Sequence, residues 1–343
     1  DSRGSDSGMV NLMAGQRILL VKVFLVSLFL TGVFCHLWSI SSGASEGVVT
    51  VKLCGHSEIL AKRNGHSEML AAPEPKCWLR GHSLPWFSGD TMRAFADHVF
   101  DETMWGSAAD VRKGDVVFLK HDFMERFFSS VHPDIVDPYI LTTHNSDYNA
   151  PTASFIGMLN DGKVAHWFAE NMDHVHPRLH PVPIGVPNAY LAVGNVPNLV
   201  NRSTALVPWQ QRSIGVYVNF NPTNPTRQAV RDKAAQLPGY HGAESRSHFE
   251  YLTDLADSRF VISPPGNGRD CYRTWEAIIM GAVPVVLSDP QLDLLYREAP
   301  VLVLKSWEEL TPDRLLEAAA VMDRPRDIVL GMYWVEKIWA KQR

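Results

Sequence analysis

The run from Arg259 to Ser288 narrows the possible folds most, because it reads as strand, turn, helix and strand in direct succession. Arg259 to Ser263 is a short buried strand. The following Pro264-Pro-Gly-Asn-Gly268 cannot extend either neighbour and makes a turn. Asp270 is placed to cap the helix that follows, Gly281 to end it, and Val283 to Leu287 forms the next strand. A helix opening from a glycine turn offers unpaired backbone N–H groups and the positive end of its dipole, which suits a diphosphate. Arg273 and Glu276 share one face of its first turns, one able to reach phosphate and the other sugar hydroxyls. Two plainer readings stand beside this. Such a turn can serve packing alone, and Arg273 with Glu276 can be an exposed ion pair. The run matches neither the phosphate loop ending in Gly-Lys-Ser/Thr nor the full three-glycine dinucleotide fingerprint.

The chain is 343 residues long, enough for two ordinary domains. It is 45% hydrophobic and 20% charged, as globular proteins are. A net charge of −5 argues against a broad nucleic-acid surface. Its four cysteines are too few for a disulfide scaffold, and Cys54–Cys77 is the pair to test. From Ile18 to Ile40 the sequence is almost wholly apolar, long enough for a membrane-spanning helix. Arg17 and Lys22 on its N-terminal side predict a cytosolic tail (1–17), an anchor (18–40) and a luminal remainder. The alternative is a cleaved signal peptide with Val23 to Cys35 as its core. Either predicts entry into the secretory pathway, and the anchor reading places the protein in the Golgi or ER membrane.

Residues 41–76 read as a stem with slight helical character, in which Gly55-His-Ser-Glu-Ile-Leu-Ala61 recurs as Gly65-His-Ser-Glu-Met-Leu-Ala71. Beyond it, strands and helices alternate, the signature of a parallel α/β sheet. Val116 to Leu119, Tyr139 to Thr143, Val164 to Asn171 and Val182 to Ile184 are strands of a first domain, 77–205. Asn188 to Trp209 is rich in Pro and Asn and reads as a linker, with the sequon Asn201-Arg-Ser within it. A second domain, 206–343, opens on the strand Ile214 to Asn219. It continues through helices at Arg227 to Leu237 and His248 to Ala256, and ends in an amphipathic helix at Asp327 to Lys341.

The pattern Ser-Pro-Pro-Gly-Asn-Gly-x-Asp-x-x-Arg-x-Trp-Glu-Ala, followed by Gly-Ala-Val-Pro-Val-Val, resembles the donor-binding half of exostosin-like glycosyltransferases, the ribitol xylosyltransferase group in particular. Leu141-Thr-Thr-His-Asn-Ser-Asp147, Trp167-Phe-Ala-Glu-Asn171 and Pro183-Ile-Gly-Val-Pro-Asn188 resemble the other half of the same proteins. The resemblance spans about Val116 to Asp289, with the glycine block its most specific part. It implies a GT-B-like fold of two doubly wound Rossmann-type lobes about a cleft. It also implies inverting transfer of a sugar from a nucleotide donor, UDP-linked, to a glycan or glycoprotein acceptor.

Such a transfer needs the leaving diphosphate neutralised and the acceptor hydroxyl deprotonated. The metal-using enzymes' Asp-x-Asp is absent from this sequence, which favours a metal-independent reaction. Gly266, Asn267, Gly268, Arg269 and Arg273 are then the diphosphate candidates, with Arg227 a further one. Glu276 takes the ribose hydroxyls, as the matching Glu does in similar proteins. Ser288 and Asp289 end a strand and either meet ligand or only start a turn. Asp147 and His144, past the strand Tyr139 to Thr143, are the candidate bases, although an Asn-Ser-Asp turn can equally stabilise itself. Glu170 is a weaker rival. His174, His176 and His180 have no spacing that converges on a metal. The Trp residues at 78, 86, 105 and 167 read as core. Two other functions remain open: a non-catalytic partner of a glycosyltransferase, in a homo- or hetero-oligomer, and a secreted sugar-binding protein.

Overall fold

The computed structural model describes residues 81–222 and 225–342, and upstream of them the backbone of four short strands. There β1 (Leu37–Ser41) pairs antiparallel with β2 (Val48–Lys52), and β3 (Ala61–Arg63) with β4 (His66–Glu68). Residues 18–36 of the expected anchor, Cys54, Cys77 and Trp78 lie outside the described residues. Among the described residues no helix is long and apolar enough to cross a membrane. The duplicated stem segment is strand-forming where it is described, not helical. Its sequence Asn64-Gly65 favours a two-residue hairpin connection, a signal stronger than its weak helical pattern.

Two five-stranded parallel sheets follow. The first runs β5 (His98–Phe100), β6 (Val116–Lys120), β7 (Tyr139–His144), β8 (Val164–Ala169) and β9 (Leu179–Pro181), in that order. β6 and β7 are buried along nearly their whole length, which explains their unbroken apolar runs. Helix α1 (Gly89–Ala94) precedes the sheet, capped by Ser88, whose hydroxyl accepts from Thr91 N–H at 3.1 Å. Helix α2 (Met124–Ser130) covers β6. Among the described residues each strand of this sheet lies beyond the last, with no reversal of order.

The second sheet contains β10 (Ile214–Val218), β11 (Tyr240–Gly242), β12 (Ser258–Ile262), β13 (Val283–Leu287) and β14 (Leu302–Leu304), in the order β11-β10-β12-β13-β14. Here the order reverses between β10 and β12. In open α/β sheets, ligands bind at the carboxyl ends of the strands flanking such a switch point. The lobe's helices include α3 (Val196–Ser203), α4 (Pro225–Ala234), α5 (His248–Ala256) and α6 (Tyr272–Ile279).

The expected linker contains α3, capped by Asn195 with a proline in its first turn. It buries Leu199 and Val200 and packs against α5 and α6. The C-terminal helix Gly331–Trp339 returns to the first lobe. Gly331 N–H donates to Pro85 O at 2.8 Å, and Trp334 and Trp339 pack on Phe87 and Phe95 with centroids 5.6 and 6.2 Å apart. One continuous apolar cluster therefore includes Phe118 and Ile140 of the first sheet together with Tyr217 and Trp275 of the second lobe. Trp86 and Trp167 are core, as expected.

Candidate functional site

A cleft of about 390 Å³ lies between the lobes, at the carboxyl edge of the second sheet's switch point. Asp147, Ile184 and Pro187 line it from the first lobe. Asn219, His248, Tyr251, the turn Gly266 to Gly268, Arg273 and Glu276 line it from the second. After β12, Ser263 keeps one sheet bond, its N–H donating to Val285 O at 2.9 Å, and its hydroxyl ties to Thr274 of α6 at 2.9 Å. Pro264 and Pro265 then carry the chain out of the sheet. At Gly268 an added Cβ would sit 3.1 Å from Asn171 Nδ2, so the turn passes close against the first lobe. At the far end of α6, Gly281 has φ +76°, the left-handed geometry expected there.

Arg273 reaches from the first turn of α6 to the end of β10. Its Nε donates to Asn219 O at 3.0 Å, while Nη1 is buried without a hydrogen-bond partner. Arg227, on α4, donates from Nε to Pro265 O at 3.0 Å and from Nη1 to Asn221 O at 3.3 Å. Both guanidinium carbons lie over Phe220, 5.5 and 5.7 Å from its centroid. Burial, and then the charge of Arg273, lowers the pKa of Arg227. Two cations held together in a cleft attract an anion to relieve their repulsion. The exposed Arg273–Glu276 ion pair is not what forms. Glu276 is buried, accepts from Tyr251 Oη at 2.7 Å and lies 3.7 Å from His248 Nε2.

Asp270 does not cap α6. The N-cap is Cys271, with no side-chain bond to the helix, so no side chain caps the first-turn N–H groups. Asp270 instead joins the lobes, accepting from Ile184 N–H at 2.9 Å, Trp275 Nε1 at 2.7 Å and Cys271 N–H at 2.8 Å. Burial raises its pKa to about 6. Arg269 also departs from expectation. It turns away from the cleft, held by Asp289 at 2.8 Å, Gln291 at 2.8 Å and the Met172 carbonyl at 2.7 Å. All of its guanidinium nitrogens are engaged, so it is a strut between lobes. Asp289 accepts from the N–H groups of Gln291 and Leu292 at 3.1 Å each, and Ser288 bonds Asp293, so this pair starts the turn.

The three first-lobe sequence pieces meet at one place. Asn145 Nδ2 donates to Asp90 Oδ1 at 3.0 Å, Asn188 Nδ2 to Asn145 Oδ1 at 2.9 Å, and Asn171 Nδ2 to Ser146 O at 3.2 Å. His144 belongs to this network and is not an available base. Its Nδ1 accepts from Asn145 N–H at 2.7 Å, which leaves the proton on Nε2 to donate to Pro183 O at 3.0 Å. Burial lowers its pKa to about 4. Glu170 Oε2 lies 3.1 Å from the same Nδ1, but that lone pair is taken, and the oxygen has no hydrogen-bond partner. Burial, with Asp270 nearby, holds Glu170 well above the usual carboxylate range. Asp147 alone of these candidates is exposed and lines the cleft. His174 bonds Asp173, His176 Nδ1 accepts from Arg178 N–H at 3.2 Å, and His180 pairs with His166, so the three histidines have separate partners. Sequence reading overlooked His248 and Tyr251. The only signal was the cap Ser247 three residues before Glu250, which fixes where α5 starts.

Residues 237–329 match the family model of the RXYLT1 C-terminal domain. This stretch of the second lobe is similar to that domain, and the rest of the chain is not matched by it. That match contains the glycine block, Arg273, Glu276 and His248, and accords with the exostosin-like resemblance of the motifs. No curated protein matches the chain. Among solved structures, the chain is similar to a UDP-GlcNAc 2-epimerase from Methanocaldococcus jannaschii at 10% identity and TM-score 0.32, covering 65% of this chain and 76% of that one. It is also similar to the pneumococcal O-GlcNAc transferase GtfA in complex with UDP and GlcNAc, at 10% identity and TM-score 0.33, covering 86% and 66%. A third is the trehalose 6-phosphate synthase from Burkholderia multivorans, at 11% identity and TM-score 0.34, covering 69% of each chain.

Proposed function

We propose that this protein is a glycosyltransferase that moves a sugar from a UDP-sugar to a glycan or glycoprotein acceptor, with inversion and without a metal. The observation that carries this reading is Arg273. Its buried, unpartnered Nη1 sits at the switch point of the second lobe, beside the turn Gly266 to Gly268 and the guanidinium of Arg227. A buried cationic N–H left unmet in a cleft is ready for an anion, and Arg273 with Arg227 beside it can balance a leaving diphosphate in place of a divalent ion. In the proposed step Asp147 takes the proton of the acceptor hydroxyl. That oxygen attacks the anomeric carbon, and the bond from that carbon to the diphosphate oxygen breaks, leaving UDP against Arg273 and Arg227. Inversion and the UDP donor are what the family resemblance implies. A luminal position behind a Golgi or ER membrane anchor rests on the apolar sequence of residues 18–40.

Two measurements on the full chain test this. UDP should raise the melting temperature, and Arg273→Ala should remove most of the rise. With acceptor present, UDP should be released from a UDP-sugar in chelator as fast as in manganese, and Asp147→Asn should abolish release while still binding UDP. Equal thermal shifts in wild type and Arg273→Ala would refute the diphosphate assignment. Activity lost in chelator and restored by manganese would refute the metal-free step. UDP binding without any turnover would favour the non-catalytic alternative.

A further inference from the structure

We propose that His248 is a donor-binding residue which, together with Glu276, recognises the vicinal diol of a nucleotide ribose; this deepens the functional reading above and rests on it. His248 opens α5 directly after Ser247. A capping box fixes that first turn, with Ser247 Oγ accepting from Glu250 N–H at 3.3 Å and Glu250 Oε2 accepting from Ser247 N–H at 2.9 Å. The imidazole is largely buried, is inclined 29° to the Tyr251 ring at a centroid distance of 6.3 Å, and lines the cleft. Neither of its nitrogens has a hydrogen-bond partner. A neutral imidazole carries one donor and one acceptor, and leaving either buried and unmet costs about 1–3 kcal/mol.

The nearest counter-group is Glu276 Oε1, 3.7 Å from Nε2, too far for a direct hydrogen bond. Tyr251 Oη donates to the other carboxylate oxygen, Oε2, at 2.7 Å. Burial raises the pKa of that phenol, so it keeps its proton and remains a donor. Glu276 is thereby held with Oε1 beside the histidine, and a gap remains between an acceptor and a ring nitrogen. Two neighbouring hydroxyls set side by side along this pair satisfy both groups, one donating to Oε1 and the other bonding the imidazole. A phosphate would be repelled by the carboxylate. The cationic Arg273 lies one turn earlier on the same helix face, which matches the order of diphosphate and ribose in a nucleotide.

The test compares three ligands on the full chain by calorimetry: UDP, 2′,3′-dideoxy-UDP and inorganic pyrophosphate. Wild type should bind UDP more tightly than its dideoxy analogue. His248→Ala should weaken UDP about 5- to 10-fold, the size of one lost hydrogen bond, and leave the other two ligands unchanged. His248→Gln should keep most of the UDP affinity. Wild type failing to bind UDP at all would remove the nucleotide reading and this inference with it. Wild type binding UDP while His248→Ala binds it equally well would overturn this inference alone. Equal losses for UDP and the dideoxy analogue would do the same, since they would mark a packing role.

Discussion

The two flanks of the glycine block differ in one respect, the state of their polar atoms. On the flank facing the first lobe, Asp270 accepts three hydrogen bonds and Arg269 is bonded to Asp289, Gln291 and Met172. On the flank facing the cleft, Arg273 Nη1 and both nitrogens of His248 have no partner. Both sets are charged or titratable and both are largely buried, so residue type does not separate them. Satisfaction does. A buried polar group with its partners in place holds structure, whereas one without them is held open at a cost that a ligand can offset.

The comparison is broken most directly at Asp270. Asp270→Ala strips one acceptor from Ile184 N–H, Trp275 Nε1 and Cys271 N–H. At about 1–3 kcal/mol for each buried donor left unmet, and with water meeting some of them, a loss near 3 kcal/mol is expected in urea unfolding. An unchanged urea midpoint would mean that the satisfied flank holds nothing together.

His144 sharpens the same point through pH. Its pKa is lowered by burial from an ordinary 6.5 to about 4, so the unfolded chain takes up this proton first. The stability it contributes is present above pH 6.5 and is lost as pH falls towards about 4. Asp270 runs the opposite way. Its pKa is raised from 3.8 to about 6, so its contribution is present below 3.8 and lost as pH rises through about 6. A difference measurement isolates the histidine: the stability gap between wild type and His144→Gln should shrink between pH 6.5 and 4. A gap constant across that window would show that His144 is not buried neutral.

The two arginines should then part company. Arg273→Ala should weaken UDP at least ~10-fold, the value of a charge-assisted hydrogen bond, with unfolding nearly unchanged. Arg269→Ala should lower stability and leave UDP affinity within about twofold once folded protein is compared. The reverse pattern would exchange their roles.

Much of this was legible in the sequence because it depends on local pattern. The strand, turn and helix from 258 to 279, the switch-point strand Ile214–Val218 and helix His248–Ala256 all follow from apolar runs bounded by Gly, Pro and Ser. The strands His98–Phe100 and Tyr240–Gly242 did not show, since three residues are too few for a period. Helix α3 was hidden by the prolines and asparagines around it. The roles of Arg269, Asp270 and His144 were misread for a different reason. Each is decided by a partner distant in sequence, Met172, Ile184 and Pro183 respectively, and no spacing along the chain records those meetings. The shared helix of Arg273 and Glu276 was legible because it depends only on their spacing.

The smallest effect belongs where water is present. Lys233 Nζ bonds Glu308 Oε2 at 2.8 Å and its backbone oxygen at 3.1 Å, geometry as good as that around Asp270, yet the carboxylate is 89% exposed. Solvent already meets both groups in the unfolded chain and screens them in the folded one, so forming the pair changes little. Lys233→Ala should leave the urea midpoint where it is, and added salt should not move it. If instead this variant unfolded as readily as Asp270→Ala, short distances alone would account for stability, and exclusion of water could no longer explain why the satisfied flank of the glycine block holds the lobes together.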